Sequence, residues 1–165
     1  PHLRATGGGV VVTAPPRLAS LLVRVPESVD LVVDSRDGDV NVTDITGNAQ
    51  IVAARGNVTV MLPGYAQVQV GEGNVTVTMG ATEWPGTLRI LTRRGDVQLR
   101  INPKAAFDVR MHTGDGTLFT DFGLRGTSQA NAETIETSVN GGGPHRIDLE
   151  TGAGAVRLLR LEPQA

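Results

Sequence analysis

The side chains of this chain with the types and spacing for chemistry are acids set beside glycines. They lie in Asp37-Gly38-Asp39, in Gly95-Asp96 and in Gly114-Asp115-Gly116, with Asp108 just upstream of the last. A carboxylate pair that cleaves glycosidic bonds needs its carboxyl groups about 5–5.5 Å apart for retention or about 6.5–9.5 Å for inversion. Asp37 with Asp39, or Asp108 with Asp115, could approach such a separation, but no third group is placed beside either pair. Asp-Gly-Asp at 37–39 and Gly-Asp-Gly at 114–116 also have the look of calcium loops. They lack the twelve-residue ligand spacing and closing Glu of an EF-hand, and the Gly-Gly-x-Gly-x-Asp nonapeptide of calcium-binding β-rolls. Turn aspartates are the reading that remains.

Other chemistries find less. His2, His112 and His145 stand far apart and form no H-x-x-x-H pair. There is no cysteine, which removes thiolate metal sites, thiol nucleophiles and disulfides together. No Gly-x-Ser-x-Gly elbow is present, and Gly7-Gly8-Gly9 and Gly141-Gly142-Gly143 lack the Lys-Ser/Thr of a phosphate loop. Trp84, beside Glu83, is the one aromatic placed to stack on a sugar. Asn41, Asn57 and Asn74 each open an Asn-Val-Thr sequon, read as a turn Asn leading into a Thr-bearing strand. No catalytic, cofactor-binding or metal-ligating residue is assigned.

What positions these corners is a repeat. LVVDSRDGDV at Leu31–Val40 returns as LRILTRRGDV at Leu88–Val97, VRMHTGDGTL at Val109–Leu118 and IDLETGAGAV at Ile147–Val156. Shorter copies are IVAARGNV from Ile51 and VQVGEGNV from Val68. The starts at 31, 51, 68, 88, 109 and 147 are 20, 17, 20, 21 and 38 residues apart, the last gap reading as one degenerate copy. Apolar residues alternate with polar ones, a period of half-buried strands, and no window carries a helical stripe. A unit of strand, corner and strand cannot bury itself alone. Stacked, it pairs its backbone with the units above and below and makes a continuous Val/Leu column.

The expected fold is therefore an all-β, single-stranded β-solenoid of about seven short coils, on the order of 30–35 Å long at the spacing of neighbouring strands. Its corner column reads Asp39, Asn57, Asn74, Asp96, Thr117, Ala155. This sets Asp39 and Asp96 three coils or roughly 14 Å apart, too far for a carboxylate pair. The rival is an antiparallel β-sandwich, which short strands with frequent turns would also serve. A sandwich gives no reason for a ten-residue unit to recur near 20.

Composition agrees with a narrow core. Of 165 residues 39% are hydrophobic, yet only five are aromatic and 21 are glycine. Net charge is −2 with no basic block, which argues against nucleic acid. No apolar run reaches the 18 residues of a membrane span, and Leu18–Val25 is short and broken by Arg24. With Pro1 first, the chain reads as processed or as a piece of something longer, so a signal or anchor would lie upstream.

Along the chain, residues 1–20 read as a partly ordered lead-in or N-terminal cap, with Val10–Val12 pairing as a strand. Residues 21–161 read as the solenoid, opening with the alternation of Leu21, Val23 and Val25 before Pro26, and 162–165 as a tail. Gly80–Gly86 is a turn-rich insertion, and Gly123–Gly143 either a coil of poor pattern or an excursion that covers one end. Phe119, where other copies carry Asn, Thr, Gln or Arg, marks an altered coil.

VRVPESVDLVVDSRDGDVNVTDITG, INPKAAFDVRMHTGDGTLFTDFG and GGGPHRIDLETGAGAVRLLRL resemble segments of the bacterial "putative adhesin" domains of unknown function, relatives of the head-GIN domain. The resemblance covers about residues 22–161 and is carried by the Gly-Asp-Val corners and the late Gly-Gly-Gly-Pro. It implies a β-solenoid of right-handed type on exported or membrane-tethered bacterial proteins, without catalytic residues. The functional expectation is a non-enzymatic cell-envelope module, extracytoplasmic, presenting a β face to a protein, a surface polymer or a copy of itself through its coil ends. The alternative is a glycan-active enzyme or glycan-binding module on a solenoid groove.

Overall fold

Alternating Val, Leu and Ile make each segment bury one face, and one corner glycine per coil turns the second strand so that its buried face meets the first. The computed structural model describes residues 2–6, 9–14, 30–43, 48–62, 66–80, 84, 87–122, 127–129 and 132–161, with backbone only for 2–14, 62, 127–129, 132 and 133. The expected strand at Leu21–Val25, Glu83 and the tail 162–165 lie outside the described residues.

The strands are β1 (His2–Thr6), β2 (Gly9–Ala14), β3 (Asp30–Asp37), β4 (Val40–Thr43), β5 (Ala49–Arg55), β6 (Val58–Leu62), β7 (Ala66–Glu72) and β8 (Val75–Met79). They continue as β9 (Thr87–Arg94), β10 (Val97–Ile101), β11 (Phe107–Asp115), β12 (Leu118–Thr120), β13 (Thr127–Gln129), β14 (Ala132–Val139), β15 (Arg146–Ala153) and β16 (Val156–Arg160). They form two sheets. Sheet A runs β1-β2-β3-β5-β7-β9-β15-β11-β14-β13, and sheet B runs β12-β16-β10-β8-β6-β4. Each of six coils gives one strand to each sheet, and every coil-to-coil pairing is parallel. This is the β-solenoid that the repeat predicts, and no described residue is helical.

The order of the coils departs from the sequence. The coil β15–β16, last in the chain, lies between β9–β10 and β11–β12: β15 pairs with β9 and β11, and β16 with β10 and β12. The long final gap is thus not one degenerate copy. It holds β14, antiparallel to the outer side of β11, and β13, antiparallel to β14, before the chain doubles back. The reversal runs through Asn140, Gly141 and Gly142, all at positive φ. The corner column consequently reads Asp39, Asn57, Asn74, Asp96, Ala155, Thr117, with the last two exchanged relative to chain order. At the other end β2 pairs parallel with β3, and β1 antiparallel with β2.

The core is the seam between the sheets. Ile51, Val68, Ile90, Leu149 and Met111 line it from sheet A, and Val60, Val77, Leu99 and Leu158 from sheet B. Among the described residues, the buried rings gather at one place. Trp84 packs on Phe107 with centroids 6.0 Å apart and on His145 at 5.0 Å, and Phe107 meets Phe122 edge-on at 6.0 Å.

Two devices make the corners. The corner glycines run at positive φ, and a Cβ on Gly73 or Gly95 would collide with the carbonyl oxygen of the corner glycine in the neighbouring coil, so the backbones stack closer there than any other residue allows. Beside them runs an Asx ladder. Asn57 N–H donates to Asp39 Oδ1 (2.8 Å), Asn74 N–H to Asn57 Oδ1 (3.0 Å), Asp96 N–H to Asn74 Oδ1 (2.9 Å) and Ala155 N–H to Asp96 Oδ1 (2.8 Å). Underneath, buried threonines tie coil to coil: Thr151 Oγ1 donates to Gly95 O and Thr113 Oγ1 to Gly154 O, each at 2.8 Å.

Candidate interaction surface

The corner acids are spent on the fold. Asp39 and Asp96 each cap a backbone amide of the next coil, three coils apart from one another. Asp108 and Asp115 sit at opposite ends of β11, seven residues or about 23 Å apart, so they make no carboxylate pair. Asp108 Oδ1 instead accepts from Ser138 Oγ at 2.6 Å. Asp121 accepts the Arg160 N–H with both oxygens, at 2.9 and 3.1 Å.

The histidines are similarly occupied. His145 Nδ1 donates to the Trp84 carbonyl at 2.8 Å, and His112 Nδ1 shares a hydrogen bond with Thr134 Oγ1 at 2.8 Å. Among the described residues no three His, Asp or Glu side chains gather as a metal site. Trp84 is not a platform for a sugar: it is only 4% exposed, and its Nε1 donates to the Arg146 carbonyl at 3.3 Å. Of the sequon asparagines, Asn57 and Asn74 serve the ladder, whereas Asn41 lies inside strand β4 facing water.

Two outer faces remain, and they differ in kind. The outward rows of sheet A carry mixed charge, part of which is paired in place. Arg89 meets Asp148 at 3.8 Å, and along the rim beside the corners Glu72 bridges Arg55 at 3.9 Å and Arg94 at 3.8 Å. Such exposed pairs contribute about 0–1 kcal/mol each to stability. They do leave those charges with partners in the same molecule.

Sheet B presents two outward rows, in register across the stack. One reads Asn41, Thr59, Thr76, Gln98, Arg157, Phe119, and the other Thr43, Met61, Thr78, Arg100, Leu159. Within the strands neither row contains an acid; just past β12 the second row reaches Asp121, opposite Leu159. Phe119 is 56% exposed and Met61 55%, the two large hydrophobic side chains most open to water among the described residues. Phe119 does sit in an unusual coil, the terminal strand of sheet B, and it stands beside Arg157. The first row is legible in sequence as the residue between paired inward Val or Leu. The second row lies two positions further on, where the repeat is irregular.

No helix of the described residues is long and apolar enough to cross a membrane. No curated protein matches the chain. A solved structure described as a "putative cell adhesion protein" from Clostridium sporogenes is similar over 89% of this chain and 68% of its own, at 11% identity and a TM-score of 0.45. The family model Toastrack DUF4097 matches residues 23–159, a span that takes in every coil from β3 to β16. The chain belongs to the Toastrack DUF4097 family, a domain of unknown function built as a β-solenoid.

Proposed function

We propose that this domain is a non-enzymatic cell-envelope scaffold that works outside the cytoplasm and presents the outer face of sheet B to a protein or surface polymer. The observation that carries the reading is the contrast between the faces: sheet A mixes acids with bases, with Arg89 paired to Asp148 and Glu72 to Arg55 and Arg94, while sheet B offers hydroxyls, amides, two arginines and an exposed ring. Corner acids that are consumed as amide caps favour a scaffold over a hydrolase. We also take residues 1–20 and the β13–β14 excursion as end caps on sheet A, which protect it from end-to-end growth at open edges, with 21–161 as the solenoid and 162–165 as a tail.

The test is binding of the immobilised domain to envelope fractions of the producing bacterium. Thr76→Glu with Met61→Glu, which place charge on the sheet B face, abolish capture. Gln50→Glu with Gln69→Glu, on sheet A, leave it intact. The reverse pattern, or cleavage of envelope glycan by the domain, overturns the proposal.

A further inference from the structure

We infer that the outer face of sheet B binds an extended acidic polysaccharide, anchored by Arg100 and Arg157. This rests on the scaffold reading above and names its partner. β10 and β16 are neighbours with Gln98 opposite Arg157 and Arg100 opposite Leu159, so the two guanidinium-bearing positions are diagonal on the same face. Strand spacing and the rise of two residues put them about 8 Å apart. Had the coils followed chain order, β12 with Phe119 would separate them; the interleaved last coil is what brings them together.

No described acid forms an ion pair with either arginine. Asp121, just past β12 and opposite Leu159, has both oxygens on the Arg160 backbone amide. Two like charges about 8 Å apart, with the one acid of the face held on a backbone amide, are a cost that an anionic group relieves. Guanidinium suits carboxylate and phosphate oxygens because its fork binds both oxygens at once and is weakly hydrated.

The rest of the face selects the polymer class. From Arg157 toward β4 it offers Gln98, Thr76, Thr78, Thr59, Asn41 and Thr43, an in-register array of neutral donors and acceptors about 4.8 Å apart along the stack. A polyhydroxylated chain laid along the stack meets one row per strand. On the other side of Arg157 the Phe119 ring stands ready for the apolar face of a sugar. A protein partner anchors by large side chains in desolvated pockets, and between Arg157 and β4 this pleated surface carries Met61 as its one large apolar side chain among Thr, Gln and Asn.

The experiment measures binding of the whole 165-residue chain to alginate (carboxylate), long-chain polyphosphate (phosphate), neutral dextran and poly-glutamate. The expected result is retention by alginate that falls as salt rises through about 0.15 M, with no retention by dextran. Arg100→Gln with Arg157→Gln weakens it about tenfold or more, while Arg55→Gln, an ion-paired arginine at the rim of sheet A, changes nothing. Polyphosphate binding equal to alginate assigns the site to anionic groups of either source; alginate alone assigns it to uronic acid chains. Retention that survives the double variant, or equal retention by dextran, overturns the inference, and tighter binding of poly-glutamate replaces the polysaccharide by an acidic protein. If envelope capture responds to the sheet B variants while every acidic polysaccharide fails, this inference falls and the scaffold reading stands.

Discussion

The backbone N–H of Ala155 donates to Asp96 Oδ1 at 2.8 Å across 59 residues of sequence. In every other rung of the ladder between corners the partners are 17 to 22 residues apart. That single bond records the interleaving: the last coil rests on the fourth and carries the coil before it in the chain.

The interleaving predicts a cross-link. Leu91 of β9 and Glu150 of β15 are opposite each other, and the chain has no cysteine of its own. Leu91→Cys with Glu150→Cys is expected to form an intramolecular disulfide on oxidation, neighbouring strands being within the range of Cα separations that a disulfide spans. Leu91→Cys with His112→Cys, two strands apart, is expected to stay reduced. Non-reducing mass spectrometry distinguishes them, and the opposite result restores coils stacked in chain order.

Removing residues 146–165 deletes the middle of the stack rather than its end. Strands β11 to β14 would then have no coil beneath them. Hydrogen exchange on the truncated chain is expected to show protection kept across β5 to β8 and lost across β11 and β14.

Asp96→Ala leaves the Ala155 amide without its cap and is expected to cost about 1 kcal/mol, lowering Tm by roughly 2–4 °C for a chain of this size. Asp96→Asn keeps the acceptor, as Asn57 and Asn74 do, and is expected to melt within about 1 °C of the parent.

Gly95→Ala would drive a Cβ into the Gly73 carbonyl at a positive φ of 137°. It is expected to cost about 3 kcal/mol or more, or to prevent folding. At Gly80 a Cβ meets nothing within 4 Å, so Gly80→Ala is the matched control, expected to change the urea midpoint little.

Thr151→Val removes the hydroxyl that donates to Gly95 O and leaves that carbonyl with one fewer partner. The expected loss is about 1–2 kcal/mol in urea unfolding. Thr92→Val is expected to cost less, because Thr92 Oγ1 reaches Gly73 O only at 3.2 Å.

The fold class and both corner devices were legible from local pattern. Inward Val at 58, 60, 75 and 77 with Thr between them specifies a strand half-buried in a sheet, and Gly followed by Asp or Asn specifies a corner that needs positive φ and an amide cap. Trp84 was misleading because a Pro/Gly neighbourhood suggests an exposed turn. Its burial depends on Phe107 and His145, which are distant in sequence.

By itself the sequence determined what each coil is: its period, its inward column, its glycine corner and the amide cap beside it, all interactions within one unit or with any similar unit next to it. That generality is also why it could not determine the order. A corner ending in Asp or Asn accepts from whichever coil lies above, and parallel strands of like pattern pair in the same register, so Leu88–Val97 offers the same surface to Val109–Leu118 as to Ile147–Val156. Only the tertiary structure decided between them, through the β14 return along β11 and the Asn140–Gly142 reversal, and with that choice it set Arg157 beside Gln98 and diagonal to Arg100.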